Sequence, residues 1–137
     1  MENKNNNKYY VYVYLDPRFD GGVYGDYNFQ HKPFYVGKGK EKRYLEHWKI
    51  IKNNRKAKEC EKNNILKELL NENLEPKIIK IKTDVSENEA LLTESKVIKD
   101  IGLSNLTNMI KGGFHYQEGY NHTKKTIKKY RKNQNVK

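Results

Sequence analysis

The fold predicted by the sequence is a small α/β domain, a three-stranded and mostly antiparallel sheet flanked by helices, and three observations predict it. Residues 9–15 (YYVYVYL) and 77–83 (KIIKIKT) alternate with period two, and apolar stripes of helical period lie between and after them. In Tyr9–Leu15 the side chains of Tyr10, Tyr12 and Tyr14 fall on one face and those of Val11, Val13 and Leu15 on the other. The aliphatic face is expected to meet the core and the tyrosine face something else. Asp16-Pro17 ends this strand, because proline cannot donate to a ladder. Arg18 to Lys32, with Gly21, Gly22 and Gly25, reads as a long loop, a kind of segment that is often functional. Pro33 opens a second strand, Phe34 to Gly37.

After Gly37-Lys38-Gly39-Lys40 a helix fits Glu41 to about Lys52, with Tyr44, Leu45, Trp48 and Ile51 as its apolar stripe. A second fits about Lys58 to Asn73 around Ile65, Leu66, Leu69 and Leu70. The strand Lys77 to Thr83 follows Pro76, with Ile79 and Ile81 alternating with Lys80 and Lys82. Ser86 and Glu89 make an S-x-x-E capping box for a helix that runs to about Ile101 and stops at Gly102. Leu106-Thr107-Asn108 and Gly112-Gly113 read as a loop, and His122 to Lys132 as a marginal basic helix. The domain is expected over 9–113, between a frayed stretch at 1–8 and a basic tail at 114–137.

Composition narrows the function. The 28 basic and 17 acidic residues leave a formal +11 on 137 residues, which favours a polyanionic partner, nucleic acid before membrane surface. Solubilising surface charge is the other reading. Only 35% of the residues are hydrophobic, but the 11 tyrosines supply core area with a polar tip and argue against plain disorder. The single Cys60 excludes an internal disulfide, no Cys/His cluster has zinc spacing, and no apolar run nears the ~18 residues of a membrane span. MENKNNNK lacks the apolar segment of a secretory signal, so a reducing cytoplasm is the expected compartment.

Glu94 is the most telling position. It shares a helix face with Ala90, Leu91, Val97, Ile98 and Ile101, and none of its neighbours three or four residues away is basic. A carboxylate there raises its pKa, meets a cation from elsewhere in the fold, or holds a metal. Arg43 and His47 stand four apart beside the Trp48 stripe, and Arg43 is one of only four arginines, with a fork that grips phosphate as lysine cannot. A surface arginine beside a surface histidine would have the same spacing. Gly37-Lys38-Gly39-Lys40 could bring backbone amides to a phosphate, although it lacks P-loop spacing. Tyr12 and Tyr35 sit on strands that should pair, and two phenols on one face either pack or work. A phenol becomes a base only if cations lower its pKa, and Lys38 and Arg43 are the candidates.

Taken in order, Tyr10-Val11-Tyr12, Tyr35-Val36-Gly37, Arg43, His47, Glu94 and Leu106-Thr107-Asn108 resemble the GIY-YIG nuclease superfamily. The run YVGKGK, a later arginine and glutamate, and LTN before GG look most like its LEM-domain ankyrin-repeat nuclease branch. Tyr10 and Val11 stand where the signature has Gly and Ile, and Val36 where it has Ile, while Tyr12 is retained. The resemblance implies phosphodiester hydrolysis of duplex or branched DNA assisted by one Mg²⁺ or Mn²⁺. Glu94 would hold the metal, Tyr12 would act as general base with Lys38 favouring its phenolate, and Tyr35 would orient water or phosphate. Arg43 would neutralise charge on phosphorus, His47 would assist it or share the proton work, and Asn108 completes the catalytic set. Binding is expected from Lys40 and from the tail residues Lys124, Lys125, Lys128, Lys129, Arg131 and Lys132. The rival expectation is a non-catalytic nucleic-acid-binding module that keeps the fold for its basic surface.

Overall fold

The structure, a computed structural model, describes residues 7–53, 57 and 59–108. The tail cations at 124–132, the basic helix expected there and the Gly112-Gly113 pair lie outside them. Strand β1 (Tyr9–Tyr24) pairs antiparallel with β2 (Tyr27–Lys40), and β3 (Lys77–Val85) pairs antiparallel with the other side of β1, giving the order β2-β1-β3. Helices α1 (Glu46–Lys52) and α2 (Glu61–Asn71) follow β2, and α3 (Glu87–Ile101) follows β3. Ser86 Oγ accepts the Glu89 N–H at 3.1 Å, so the capping signal marks the true start of α3.

The stretch expected to be a long loop is instead the outer half of a hairpin. Tyr24 pairs with Tyr27 across a two-residue turn, and Asp20, Gly22 and Val23 also have partners on β2. Pro17 is accommodated by a bulge: pairing steps from Asp16↔Lys32 to Asp20↔His31, skipping Pro17, Arg18 and Phe19. Asp16 holds that bulge together. Its carboxylate accepts the Arg18 backbone N–H and Nε at 3.0 Å each and Nη2 at 2.9 Å, while Arg18 Nη1 reaches Glu68 at 3.1 Å and Glu72 at 3.0 Å. Burial pushes the Asp16 carboxyl up, and the Arg18 bonds outweigh it, leaving it below the usual range.

A second correction concerns the tyrosine face. The first half of β1, from Tyr10 to Asp16, is buried on both sides, because helices cover both faces of the sheet there. Val11, Val13, Leu15 and Val36 pack with Ala90, Val97, Ile98 and Ile101 of α3. Tyr10, Tyr12 and Tyr14 pack with Phe34 and with Trp48, Ile51, Leu66 and Leu69 of α1 and α2. The tyrosine ladder is a core in its own right, and the polar tips explain why it is not phenylalanine. Tyr10 Oη donates to the Glu41 carbonyl at 2.9 Å and accepts the Tyr44 N–H at 3.1 Å, and Tyr14 Oη donates to the Tyr44 carbonyl at 2.7 Å.

Those bonds also account for a third difference. The helix expected from Glu41 starts later: Glu41 takes φ 55°, Arg43–Leu45 form one turn of 3₁₀ helix, and only Glu46–Lys52 is α-helical. Tyr10 and Tyr14 fill the backbone groups that such an irregular start leaves over. Tyr10→Phe keeps the ring packing but strands the Glu41 carbonyl and Tyr44 N–H, and is expected to cost about 1–3 kcal/mol in urea unfolding.

Candidate active site

β2 is an edge strand, and the residues singled out by their chemistry gather along it. Tyr12 lies opposite Gly37, and a Cβ there would overlap Tyr12 Cζ and Oη, so the phenol occupies the space of the missing side chain. Gly39 has the same role for Arg43, whose Cγ lies 2.7 Å from where a Cβ would stand. The glycines of the GKGK run thus make room for two candidate catalytic side chains. Tyr12 and Tyr35 share the tyrosine face with ring centroids 6.3 Å apart, and Tyr35 meets the His47 ring edge-on at 4.9 Å.

Glu94 approaches from the opposite layer. It is buried, 4% exposed, among the apolar contacts of α3. Burial pushes its carboxyl up to about 8, against a smaller pull from Lys38. Its charge in turn raises both phenols. Tyr12 is pushed well above its ordinary 10, first by burial, then by Tyr35, Tyr14 and Glu94. Tyr35 is pushed up to about 12 by burial and by Glu94, with a hydrogen bond to Tyr12 and the Arg43 charge opposing. Glu94, Tyr12 and Tyr35 are therefore within electrostatic reach of one another, as the ordered motifs imply. The phenolate-favouring role expected of Lys38 does not appear. Lys38 Nζ is paired with Glu87 at 2.9 Å at the start of α3, and both phenols stay protonated.

Arg43 is exposed beside a cleft of about 280 Å³ lined by Lys40, Glu41, Lys42, Glu46 and Lys49. Lys40 is exposed there, with its ammonium 5.4 Å from the Tyr9 ring centroid. Asn108 is buried against the β2 backbone: Oδ1 accepts the Val36 N–H at 3.0 Å and Nδ2 donates to the Val36 carbonyl at 2.8 Å. Thr107 binds the Phe34 carbonyl through both N–H and Oγ1 at 2.8 Å. Through these bonds the segment splints the edge strand between Tyr35 and Gly37. His47 is held neutral, its pKa lowered to about 4 by burial, Lys62 and Arg43 in that order.

The family model of the LEM-3-like GIY-YIG domain matches residues 9–133. The chain belongs to the LEM-3-like GIY-YIG family. GIY-YIG domains form a nuclease superfamily, so membership supports a nuclease-like function on a nucleic-acid substrate. The chain is also 33% identical over 114 residues to the Ankyrin repeat and LEM domain-containing protein 1 homolog of Caenorhabditis elegans, covering 77% of this chain. It spans 16% of that relative's length. No solved structure matches it significantly. Among the described residues, no helix of this GIY-YIG chain is long and apolar enough to cross a membrane.

Two features of this LEM-3-like GIY-YIG site escaped the sequence reading. One is the close approach over Gly37 and Gly39, which depends on register. The other is Lys62, whose ammonium lies 2.8 Å from His47 Nδ1 and 4.9 Å from the Tyr35 ring centroid. Its signal was present: Lys62 stands three, four and seven residues before Ile65, Leu66 and Leu69, a charge on an apolar stripe as at Glu94. Gly37→Ala is expected to displace the buried Tyr12 ring and cost about 1–3 kcal/mol, measured by thermal unfolding with the Tyr12 ring resonances as the local readout.

Proposed function

We propose that the chain is a divalent-metal-dependent endonuclease that hydrolyses phosphodiester bonds of duplex or branched DNA. The observation that carries this reading is the buried Glu94 carboxylate acting on both Tyr12 and Tyr35, with the Arg43 side chain packed over Gly39 of β2. The donor set fits a hard dication. Glu94 brings a buried carboxylate, an oxygen donor of the kind that Mg²⁺ or Mn²⁺ takes. Magnesium characteristically uses one or two carboxylates together with waters and substrate phosphate. Glu94 would hold it. When bound, the ion would supply Lewis-acid polarisation of a phosphate oxygen and positive charge beside the phenols.

The protein's own groups divide the remaining work. Tyr12 is the general base on the attacking water, and its raised pKa means it loses its proton only when positive charge comes into the site with substrate. Tyr35 orients the water or the phosphate. Arg43 neutralises charge growing on phosphorus with its planar guanidinium fork. Lys40 and the tail residues Lys124, Lys125, Lys128, Lys129, Arg131 and Lys132 contribute phosphate contacts, consistent with the formal +11. The lone Cys60 suits a reducing, cytoplasmic compartment. The competing reading, a non-cleaving nucleic-acid-binding module, draws its support from the two protonated phenols.

Nicking of supercoiled plasmid with Mg²⁺ and with EDTA separates the two. Wild type is expected to nick only with the metal, and Glu94→Gln, which keeps the shape and removes the charge, to be slower by roughly 10²–10³. Equal nicking by wild type and variant would end the endonuclease assignment. Binding itself should weaken by about 10³–10⁵ between ~50 and ~200 mM salt if roughly six to ten phosphates are contacted, as read by fluorescence anisotropy in EDTA.

A further inference from the structure

Helix α2 carries none of the motifs on which the sequence resemblance rests, yet it sends the Lys62 side chain towards the site. Lys62 is half-buried on the α2 face whose Leu66 and Leu69 pack under the tyrosine ladder. Its ammonium stands 2.8 Å from His47 Nδ1 and 4.9 Å from the centre of the Tyr35 ring. An ammonium has three N–H donors and no acceptor, so a contact of that length is a hydrogen bond only if Nδ1 carries a lone pair. The remaining proton of a neutral imidazole must then sit on Nε2. A charged imidazolium would set two donors head to head beside a like charge.

The other groups around the ring point the same way. Tyr14 from β1 and Tyr35 from β2 meet His47 edge-on, with centroids at 6.0 and 4.9 Å, and bring no carboxylate. Arg43, from the preceding turn, adds a second positive charge. Burial and these two cations all disfavour the imidazolium.

We infer that Lys62 is a positioning residue of the candidate active site, which holds His47 as the neutral Nε2–H tautomer and so makes it a hydrogen-bond donor rather than a base. The histidine keeps a single N–H for an oxygen of the substrate, and taking the water's proton is left to Tyr12. That consequence for catalysis rests on the endonuclease reading; the tautomer does not.

The test is a long-range ¹H–¹⁵N correlation spectrum of the ¹⁵N-labelled full chain at pH 7, without DNA or metal. Wild type is expected to show His47 in one neutral form, protonated at Nε2. Lys62→Met should mix the two tautomers and move the acid transition of His47 up from about 4 towards the ordinary 6.5, and Lys62→Arg, which also donates, should restore the single form. A His47 that is protonated at Nδ1 or doubly protonated in wild type overturns the inference, as does an unchanged tautomer in folded Lys62→Met. Should Lys62→Met fail to fold, Lys62→Gln serves: its neutral amide should raise the acid transition, and no rise overturns the inference. Because no DNA is present, loss of plasmid nicking would remove the nuclease reading without touching this result.

Discussion

β1 runs between β2 and β3 and also between two helical layers, so the side chains from Tyr10 to Leu15 must be satisfied without bulk water. The aliphatic ones need only volume, and α3 supplies it. The phenols need partners as well, since a buried hydroxyl without one is costly. Tyr10 and Tyr14 find theirs in the backbone of residues 41–44, and this pins the irregular turn that carries Arg43. The tyrosine that stands where the family signature has glycine therefore does structural work beside the site. Among the described residues Tyr12 has no such backbone partner; it lies over Gly37, beside Tyr35.

Burial on both faces also sets the electrostatics. Desolvation makes the carboxyl and both phenols harder to ionise, and the Glu94 charge adds to the effect at Tyr12 and Tyr35. In the free protein the site consequently holds its protons. The exposed cations around Arg43 are arranged differently, at the surface, where charge costs little and a polyanion can be drawn in from solution. On the proposed nuclease reading, the interior holds the carboxylate that would take the dication and the rim holds the cations that would meet the phosphate.

Helix α2 links regions that lie far apart in sequence. Leu66 and Leu69 complete the tyrosine-side core, Lys62 reaches His47, and Glu68 binds Arg18 at the hairpin bulge. One short helix thus touches the core, the site and the outer hairpin. On the opposite side of β2, Thr107 and Asn108 tie down the edge strand through Phe34 and Val36. Strand β2 is held by β1 along one side and by Thr107 and Asn108 along the other, so the residues it presents have fixed places.

Much of this was legible in the sequence, because it depends on local rules. Strict alternation marks the first half of β1, the alternation of Ile79 and Ile81 with Lys80 and Lys82 marks β3, a serine three residues before a glutamate marks the start of α3, and a carboxylate on an apolar stripe marks Glu94. The same rules misjudged Arg18 to Lys32, since proline and glycine read as a loop unless a partner strand is known to absorb them in a bulge. They missed Lys62, although it breaks an apolar stripe as Glu94 does, because a lysine stem can snorkel to the surface and its target is fifteen residues away. The sequence by itself determined the elements and the kinds of groups present. Only the tertiary structure decided that both faces of β1 are core, that two glycines are footholds for Tyr12 and Arg43, and that α2 governs a histidine on α1. Those outcomes depend on strand register and layer contact, which are properties of distant segments meeting, and no short window of residues contains them.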